Sequence, residues 1–294
     1  MSETREDWHA VSGMSDLAEG SARAVTLLGE DIAIWRGENG SAQAWRNQCP
    51  HRGMRLSFGQ VRGDRLSCRY HGWQYDEAGQ CKFMPAHRNM IPPATVCVPS
   101  YACREANGLI WVKLEGDGDA AIDAAFDDVT AAGGLETGML FCKTIFIDGS
   151  HEALADLLVA ACFPPFARAS QTLQDGGFEC DILDHGRSPD ESHVVVAWKR
   201  HGSDRTFSTG YHGQRQNRSI IRVVAKTEDD SPETLVIALQ AMTDKRTGLH
   251  LVASSSGEAE SDGRKRLYFG HWAQRLRWFL ENPDAPFDGF RPWT

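Results

Sequence analysis

The chain has 294 residues, 41% hydrophobic and 24% charged, which is ordinary for a globular protein with room for two domains. Its formal net charge of −9 and pI of about 5.7 disfavour a nucleic-acid partner. The sequence has no apolar run of about 18 residues, as a membrane span requires, and it begins with polar and acidic residues instead of a secretory signal. We therefore expect a cytoplasmic protein that does not enter a membrane.

The N-terminal part of the chain has β-type patterns, and no helical period precedes residue 115. Apolar runs at 24–28 and 32–35 are separated by Gly29-Glu30-Asp31. Asn39-Gly40 is a strong hairpin signal before a further run at 42–46. These patterns predict a small antiparallel β domain.

Two Cys-plus-His pairs form the chemical centre of this part of the chain. The segments 49–53 and 68–73 read CPHRG and CRYHGW and are separated by 16 residues. A Rieske [2Fe–2S] centre needs this ligand set, two thiolates on one iron and two imidazoles on the other. Gly53 and Gly72 follow the histidines directly, and without a Cβ they let backbone amides approach inorganic sulfides.

A zinc finger is the rival interpretation of the same four residues. Its usual order is two cysteines and then two histidines, whereas each half here supplies one of each. Two loops that clamp a two-iron cluster explain this order better. The predicted cluster ligands are Cys49, His51, Cys68 and His71.

These residues resemble the Rieske domain of ring-hydroxylating oxygenase large subunits. Gly79, which closes a hairpin after Trp73 and Tyr75, and the run from Tyr101 to Val112, similar to the strand that closes that domain, extend the resemblance over about the first 115 residues. Respiratory Rieske proteins carry an extra cysteine in each ligand loop, and this chain does not. The resemblance therefore implies a low-potential cluster that feeds an oxygenase.

The composition changes between the two predicted domains. Residues 115–138 hold five aspartates among Gly and Ala, which indicates a solvated acidic linker, with docking of a basic reductase as the alternative. We predict a Rieske domain at 1–116, an acidic linker at 117–138 and a second domain at 139–294. The six remaining cysteines form no motif, and we expect reduced, buried side chains: Cys81, Cys97, Cys103, Cys142, Cys162 and Cys180.

The second domain has one helix near its start, one at its end and strands between them. Ser150 is a good N-cap for a helix that runs to about Cys162, before Pro164-Pro165. Its predicted core stripe is Leu154, Leu157, Leu158, Ala161 and Cys162, and its other face carries Glu152, Asp156 and Val159. Strand-like runs are at 139–147, 193–198, 219–225, 235–242 and 250–254, with turns at Asp229-Asp230 and Thr247-Gly248. A terminal helix is predicted at 266–280, with core contacts from Leu267, Phe269, Trp272, Leu276 and Phe279.

The resemblance implies an α+β chain whose second domain is a helix-grip (START-like) fold, an antiparallel sheet around a long helix. In that family this domain holds a mononuclear iron by two histidines and a carboxylate. The family's acidic residue is best matched by Asp156, which places the two histidines at Val159 and Pro164. Neither residue can bind a metal, and no downstream carboxylate matches. We expect no mononuclear Fe(II) and no independent oxygenase activity.

The same acidic residue bridges a Rieske histidine of one subunit to an iron-ligand histidine of its neighbour in the family. Asp156 is therefore the candidate inter-subunit bridge, with an exposed polar residue on an amphipathic helix as the alternative. If iron is held differently, other histidines are ligand candidates, with surface or hydrogen-bonded roles as the alternative: His151, His185, His193, His201, His212, His250 and His271.

Three functions are compatible with this sequence. The first is an electron-transfer or structural subunit of a hetero-oligomeric oxygenase, working with a catalytic sister subunit and a flavin/iron–sulfur reductase or ferredoxin in a trimer or hexamer. The second is a complete monooxygenase that hydroxylates or demethylates an aromatic or alicyclic, steroid-like substrate through an unrecognised iron site. The third is a non-catalytic redox sensor that binds a hydrophobic ligand.

Overall fold

The computed structural model describes residues 5–116, 138–159, 178–200, 202, 204–216, 218–227 and 232–282. The chain divides into two compact units, Met1–Ala121 with Ala241–Thr243, and Ile122–Gln240 with Asp244–Thr294. The predicted linker 117–138 lies outside the described residues except for Gly138, so the domain boundaries stay a prediction.

The first unit is built from ten short strands in two antiparallel sheets. The six-stranded sheet has the order β1-β10-β9-β4-β3-β2, and the four-stranded sheet has the order β5-β6-β7-β8. The strands are β1 His9–Gly13, β2 Ser21–Leu27, β3 Glu30–Arg36, β4 Ala42–Arg46, β5 Gln60–Arg62, β6 Arg65–Ser67, β7 Gln74–Tyr75, β8 Cys81–Phe83, β9 Ser100–Ala106 and β10 Leu109–Lys113.

Alternating apolar side chains of the large sheet build two cores, one on each face. Ile32 and Ile34 of β3 join the first core, and Ala33 and Trp35 of the same strand join the second. The second core also contains the small sheet and the side chains of Cys49 and Cys68. The predicted ligand loops therefore stand on a packed apolar base, as an antiparallel domain that carries chemistry on its loops requires.

Hairpin turns in this unit differ in detail from the predictions. The β2–β3 turn is at Leu28-Gly29, both with positive φ, so Glu30 and Asp31 belong to β3 and not to the turn. The run 101–112 is not one strand but the hairpin of β9 and β10, turned by Asn107-Gly108 with φ of 52° and 78°. Both turns have the two left-handed residues of a type I′ hairpin, which suits the twist of antiparallel strands.

The second unit is a seven-stranded antiparallel sheet with two helices. Its strand order is β11-β17-β16-β15-β14-β13-β12. The elements are β11 Met139–Asp148, α1 His151–Leu158, β12 Phe178–Arg187, β13 Glu191–Arg200, β14 Thr206–Arg215, β15 Ile220–Thr227, β16 Glu233–Thr243, β17 Arg246–Ser254 and α2 Ala259–Glu281. One face of the sheet packs against both helices in a single hydrophobic core. This arrangement confirms the predicted fold class, with the long helix of the helix-grip fold as α2.

The long helix α2 begins seven residues before the predicted start. Its first turns are polar, so the apolar period is visible only from Arg266 onwards. The Asp262 carboxylate accepts hydrogen bonds from the Ser256 amide at 2.8 Å and from the Ser255 hydroxyl at 2.5 Å, which ties the start of the helix to the preceding chain. Phe269, Trp272 and Leu276 are core residues as predicted, whereas Leu267 is 59% exposed, so its predicted core role is wrong.

Two further predictions in this unit are wrong. Thr247-Gly248 is not a turn but lies inside β17, and the β16–β17 turn is at Asp244-Lys245. Val159 does not share the exposed face of Glu152 and Asp156, because α1 ends at Leu158 and the following turn directs Val159 into the core. The strands β12 and β14 were not predicted, since both are rich in polar residues and glycine. No helix among the described residues is long and apolar enough to cross a membrane.

Candidate metal centre

Two loops with the same backbone geometry hold the predicted cluster ligands. In the first loop the Cys49 amide donates to the carbonyl of Met54 at 2.8 Å, and the Gly53 amide donates to the carbonyl of Cys49 at 2.9 Å. In the second loop Cys68 and Trp73 form the same bond at 2.8 Å, and Gly72 donates to Cys68 at 2.9 Å. The two segments therefore fold as structural repeats, each presenting one thiol and one imidazole.

A glycine is required in each loop because the chain turns back there in the left-handed region. Gly53 has a φ of 71° and Gly72 a φ of 69°, which residues with a Cβ rarely adopt. A Cβ on Gly72 would also approach Pro85 Cγ to 3.0 Å. The sequence pointed to these glycines for amide approach to a cluster, and the structure adds the turn itself as a reason.

The two sulfur atoms face each other in the interior. Cys49 and Cys68 are 2% and 3% exposed, and their side chains are hydrogen-bonded to one another. That bond from Cys68 lowers the pKa of Cys49 to about 5 against the opposing effect of burial, helped by the Tyr75 hydroxyl and the amides of His51 and Arg52. The same bond and burial raise the pKa of Cys68. The site thus stabilises a thiolate without any metal.

Each sulfur also receives hydrogen bonds from the backbone of its own loop. The amides two and three residues after Cys49, and those two and three residues after Cys68, all act to lower the pKa of their thiol. Amides aimed at sulfur favour its negative charge. This is the polar surrounding that tunes thiolate ligands of iron–sulfur clusters.

The two imidazoles meet at the surface. Nδ1 of His51 lies 3.1 Å from Nδ1 of His71, so both rings turn the same nitrogen toward one point. Trp73 stacks on His51 with a centroid distance of 4.2 Å, and Tyr70 stacks on His71 with one of 3.9 Å. These aromatic contacts orient the rings, and the sequence had not predicted them.

Tyr75 is a second residue whose role the sequence did not reveal. Its hydroxyl lies 3.1 Å from Cys49 Sγ, and the ring is fully buried beneath the site. Burial, and then the hydrogen bond with Cys49, raise the pKa of Tyr75, so the phenol keeps its proton and donates it toward sulfur. The signal in the sequence was an aromatic residue two positions after Trp73.

The four side chains fit a [2Fe–2S] cluster. The buried sulfur pair provides two thiolates for one iron, and the exposed imidazole pair provides two nitrogens for the other. A single zinc ion would instead draw four donors around one point. Among the described residues, no group of three or more His, Cys, Asp and Glu side chains surrounds a single metal position.

Comparison with known proteins agrees with this chemistry. Residues 7–102 match the Rieske [2Fe-2S] domain family. The first unit is a Rieske domain. The predicted resemblance is thereby confirmed for this part of the chain.

Relatives of the chain are redox enzymes. It is 36% identical over 152 residues to the oxidoreductase NdmD of Pseudomonas putida, covering 51% of this chain and 25% of that protein. It is 38% identical over 120 residues to the methylxanthine N1-demethylase NdmA of Pseudomonas putida, covering 39% and 34%. The matches span only about a quarter to a third of these curated relatives.

The likeness in fold extends beyond the Rieske domain. The solved structure of dicamba monooxygenase bound to dicamba matches 96% of this chain and 91% of its own, with a TM-score of 0.65 and 17% identity. At this identity the match shows the fold alone. Both units therefore have the architecture of a Rieske oxygenase large subunit.

The second unit places the residues predicted to replace iron ligands as follows. Val159 is 1% exposed and packs in the hydrophobic core, and its carbonyl accepts a hydrogen bond from the Ser192 hydroxyl at 2.5 Å. Pro164 lies outside the described residues. Asp156 is exposed on α1, its carboxylate 2.5 Å from the Arg215 guanidinium and its carbonyl bonded to Arg187 at 2.8 Å. The candidate bridge residue is thus already held by an ion pair within its own chain.

The alternative histidine ligands are spread over separate elements. His250 is fully buried between Thr144 and Gln240, at 2.8 and 3.0 Å. His193 lies opposite His212 across β13 and β14, and its Nε2 is 3.5 Å from an Asp184 oxygen. The remaining candidates are His151 at the start of α1, the exposed His185 and His271, and His201 outside the described residues.

Cysteines outside the site are not all buried. Cys81 is buried, Cys103 and Cys142 are partly buried, and Cys97 is exposed, so the expectation of burial is wrong for Cys97. It follows an isolated bridge at the edge of the small sheet, where the chain runs along the surface. Cys162 and the side chain of Cys180 lie outside the described part of the chain.

Proposed function

We propose that this chain is the Rieske [2Fe–2S] component of a heteromeric oxygenase, an electron-transfer or structural subunit beside a catalytic sister subunit. Cys49, His51, Cys68 and His71 would hold the cluster, which supplies one-electron transfer when bound. The stacked rings of Trp73 and Tyr70 keep the imidazoles in place, and Tyr75 keeps a proton near Cys49. A flavin/iron–sulfur reductase or ferredoxin, a trimeric or hexameric assembly and a cytoplasmic location belong to the same proposal.

The observation that carries this proposal is the surrounding of Val159. Where the resemblance expects a metal-binding histidine, an apolar side chain is packed into the core of the second unit. A mononuclear oxygenase iron needs two histidines and a carboxylate with open positions. Val159 contributes no donor atom, and neither can Pro164. An intact cluster site without this ligand set favours delivery of electrons to another subunit.

A complete monooxygenase is the second candidate, since the chain shares its fold over 96% of its length with dicamba monooxygenase. An iron site formed by other ligands would then act on an aromatic or alicyclic substrate. The two candidates differ in metal content, so they are separated by counting iron.

Iron analysis of anaerobically purified protein tests the proposal. We expect two irons and two acid-labile sulfides per chain, unchanged after incubation with excess Fe(II). Val159→His should add no oxygenase activity, because one histidine alone does not complete a triad. A stoichiometric third iron with histidine and carboxylate ligands would overturn the proposal and favour the monooxygenase.

The ligand assignment is tested separately by electron paramagnetic resonance. The reduced protein should give the rhombic, low-average-g signal of a mixed His/Cys cluster, and His51→Ala or His71→Ala should abolish it. His87→Ala is the matched control, because this exposed histidine of the same domain lies outside the ligand loops. Retention of the signal in both ligand variants would show that the assignment is wrong.

A further inference from the structure

The surface around the imidazole pair is basic although the chain as a whole is acidic. Between Arg46 and Tyr75 the sequence holds six arginines and one acidic residue, Asp64, in a chain of net charge −9. Two of these arginines belong to the ligand loops. Arg52 follows His51 directly, and Arg69 stands two residues before His71.

Arg52 and Arg69 are exposed, and neither forms an ion pair within the part of the chain that the structure describes. Their neighbour Arg55 differs, since it is held by Asp31 at 2.8 Å. With Gly53, Tyr70 and His71, the two arginines form what we call the tip surface. It carries two uncompensated positive charges and one aromatic ring, Tyr70, that is 59% exposed.

The position of these charges restricts what can dock there. A redox partner must come close to the imidazole edges, because they are the exposed end of the site. Such a partner covers both arginines and removes water from them. Burying an unpaired guanidinium is costly, whereas a facing carboxylate offsets the loss of hydration.

A second copy of the chain is a poor occupant in a tip-to-tip contact. Its own tip surface carries the same two arginines, and like charges in contact are unfavourable by several kcal/mol. A basic redox protein is disfavoured for the same reason. The charge on the tip surface therefore selects a partner with carboxylates around its own redox centre.

We propose that the tip surface docks an acidic one-electron donor protein, with Arg52 and Arg69 facing its carboxylates. One electron passes from the reduced donor to the oxidised cluster, and no bond is made or broken. The inference rests on the proposed electron-transfer role of the cluster, but not on the absence of a second iron site. It also assigns donor docking to this basic surface and not to the acidic segment 115–138.

Stopped-flow reduction of the cluster-loaded chain tests the inference. The probe is a reduced plant-type [2Fe–2S] ferredoxin, an acidic protein. The rate should fall steeply with added NaCl, and Arg52→Gln with Arg69→Gln should lower it about tenfold at low salt and flatten the salt dependence. Arg264→Gln on α2 removes the same charge from an exposed helix position and should leave the rate within about twofold.

Two further measurements separate docking from damage to the cluster. Methyl viologen radical, a small cation, should reduce the double variant at least as fast as the original chain, because it needs no acidic docking face. Arg52→Lys with Arg69→Lys should retain most of the ferredoxin rate, since the charge is kept. Loss of the rate in the lysine variant would contradict a charge-based contact.

Three results would overturn the inference. They are an unchanged ferredoxin rate and salt dependence in the double glutamine variant, a rate that rises with salt in the original chain, and a change in self-association caused by the glutamine variant. A third iron per chain would remove the structural-subunit proposal but leave these rates unaffected. The two proposals therefore fail in different experiments.

Discussion

At the scale of single residues, the ligand site is asymmetric although its two loops are structural repeats. Cys49 receives a hydrogen bond from Tyr75, and this bond is among the causes that lower its pKa, whereas Cys68 has no such phenol among the causes that shift its pKa. Hydrogen bonds to cluster sulfurs are one way in which a protein sets the reduction potential. The sequence led us to expect a low-potential cluster, and Tyr75 acts in the opposite direction.

We predict that Tyr75→Phe lowers the reduction potential of the cluster. The phenol stabilises the more negative, reduced state, and a hydrogen bond to a charged group is worth ~1.5 kcal/mol, which corresponds to about 60 mV for one electron. A redox titration monitored by electron paramagnetic resonance measures the shift. Tyr70→Phe is the control, because its exposed ring stays stacked on His71. Equal potentials in the Tyr75 variant and the original chain would contradict the role given to this hydroxyl.

At the scale of elements, α1 is fixed to the sheet by its C-terminal end. The Val159 carbonyl accepts the Ser192 hydroxyl, and Arg187 binds the carbonyl of Asp156. Gly213 of β14 lies so close that a Cβ there would overlap the Val159 carbonyl. This close approach explains why Val159 is turned into the core and away from the face that bears Asp156.

We predict that Gly213→Ala destabilises the second unit. The added methyl must push the end of α1 away, and overpacking of this kind costs about 1–3 kcal/mol. Gly210→Ala on the same strand is the matched control, since the nearest atom to its Cβ is the Lys226 carbonyl at 3.9 Å. Thermal unfolding of both variants measures the difference. Equal midpoints would mean that α1 is not held against β14.

The start of α2 depends on Asp262. Burial opposes ionisation, but hydrogen bonds from Ser255 and Ser256 lower the pKa of this carboxyl below 3.8. A carboxyl with a depressed pKa in the folded state stabilises that state above its unfolded pKa, and this contribution is lost as the pH falls through the folded value. The cap is therefore present at neutral pH and lost in acid.

We predict that Asp262→Asn lowers the free energy of unfolding by about 0.5–1 kcal/mol at pH 7, as loss of a helix cap does. The difference from the original chain should shrink as the pH falls through the folded pKa of Asp262. Glu260→Gln is the control, because this exposed side chain makes only an i,i+4 pair with Arg264. Chemical denaturation at several pH values measures both variants. A difference that grows in acid would contradict the assigned cap.

At the scale of the whole molecule, the chain unites a complete cluster site with a second unit whose expected iron position is apolar. A Rieske domain has little use in this architecture without an iron to reduce. The exposed face of α1 carries Glu152 and Asp156, and Asp156 is oriented by Arg215. If Asp156 reaches a neighbour's cluster histidine, it must do so from this ion pair.

We predict that the chain assembles with a full-length sister subunit. Co-expression should give a stable complex that neither chain forms alone, and product should appear only with both. His71→Ala in this chain should lower turnover if it donates electrons and spare turnover if its role is purely structural. A homogeneous homotrimer that hydroxylates a substrate unaided would end this hypothesis.

Within that assembly, Asp156→Asn should weaken complex formation or cluster reduction more than it changes the fold of the isolated chain. Glu152→Gln, on the same exposed face of α1, is the matched control. Analytical ultracentrifugation and thermal unfolding of each variant separate the two effects. An equal loss of assembly in both variants would indicate a general charge effect and not a bridge at Asp156.

The sequence by itself determined the cluster chemistry and the fold class, because both are encoded locally. The spacing of Cys49, His51, Cys68 and His71 specifies a ligand set, and the left-handed glycines and Asn-Gly pairs specify turns within a few residues. Only the tertiary structure decided that Tyr75 donates to Cys49, that Trp73 and Tyr70 orient the imidazoles, and that Val159 faces the core. These contacts depend on how loops and strands pack, and packing joins residues that no local pattern connects.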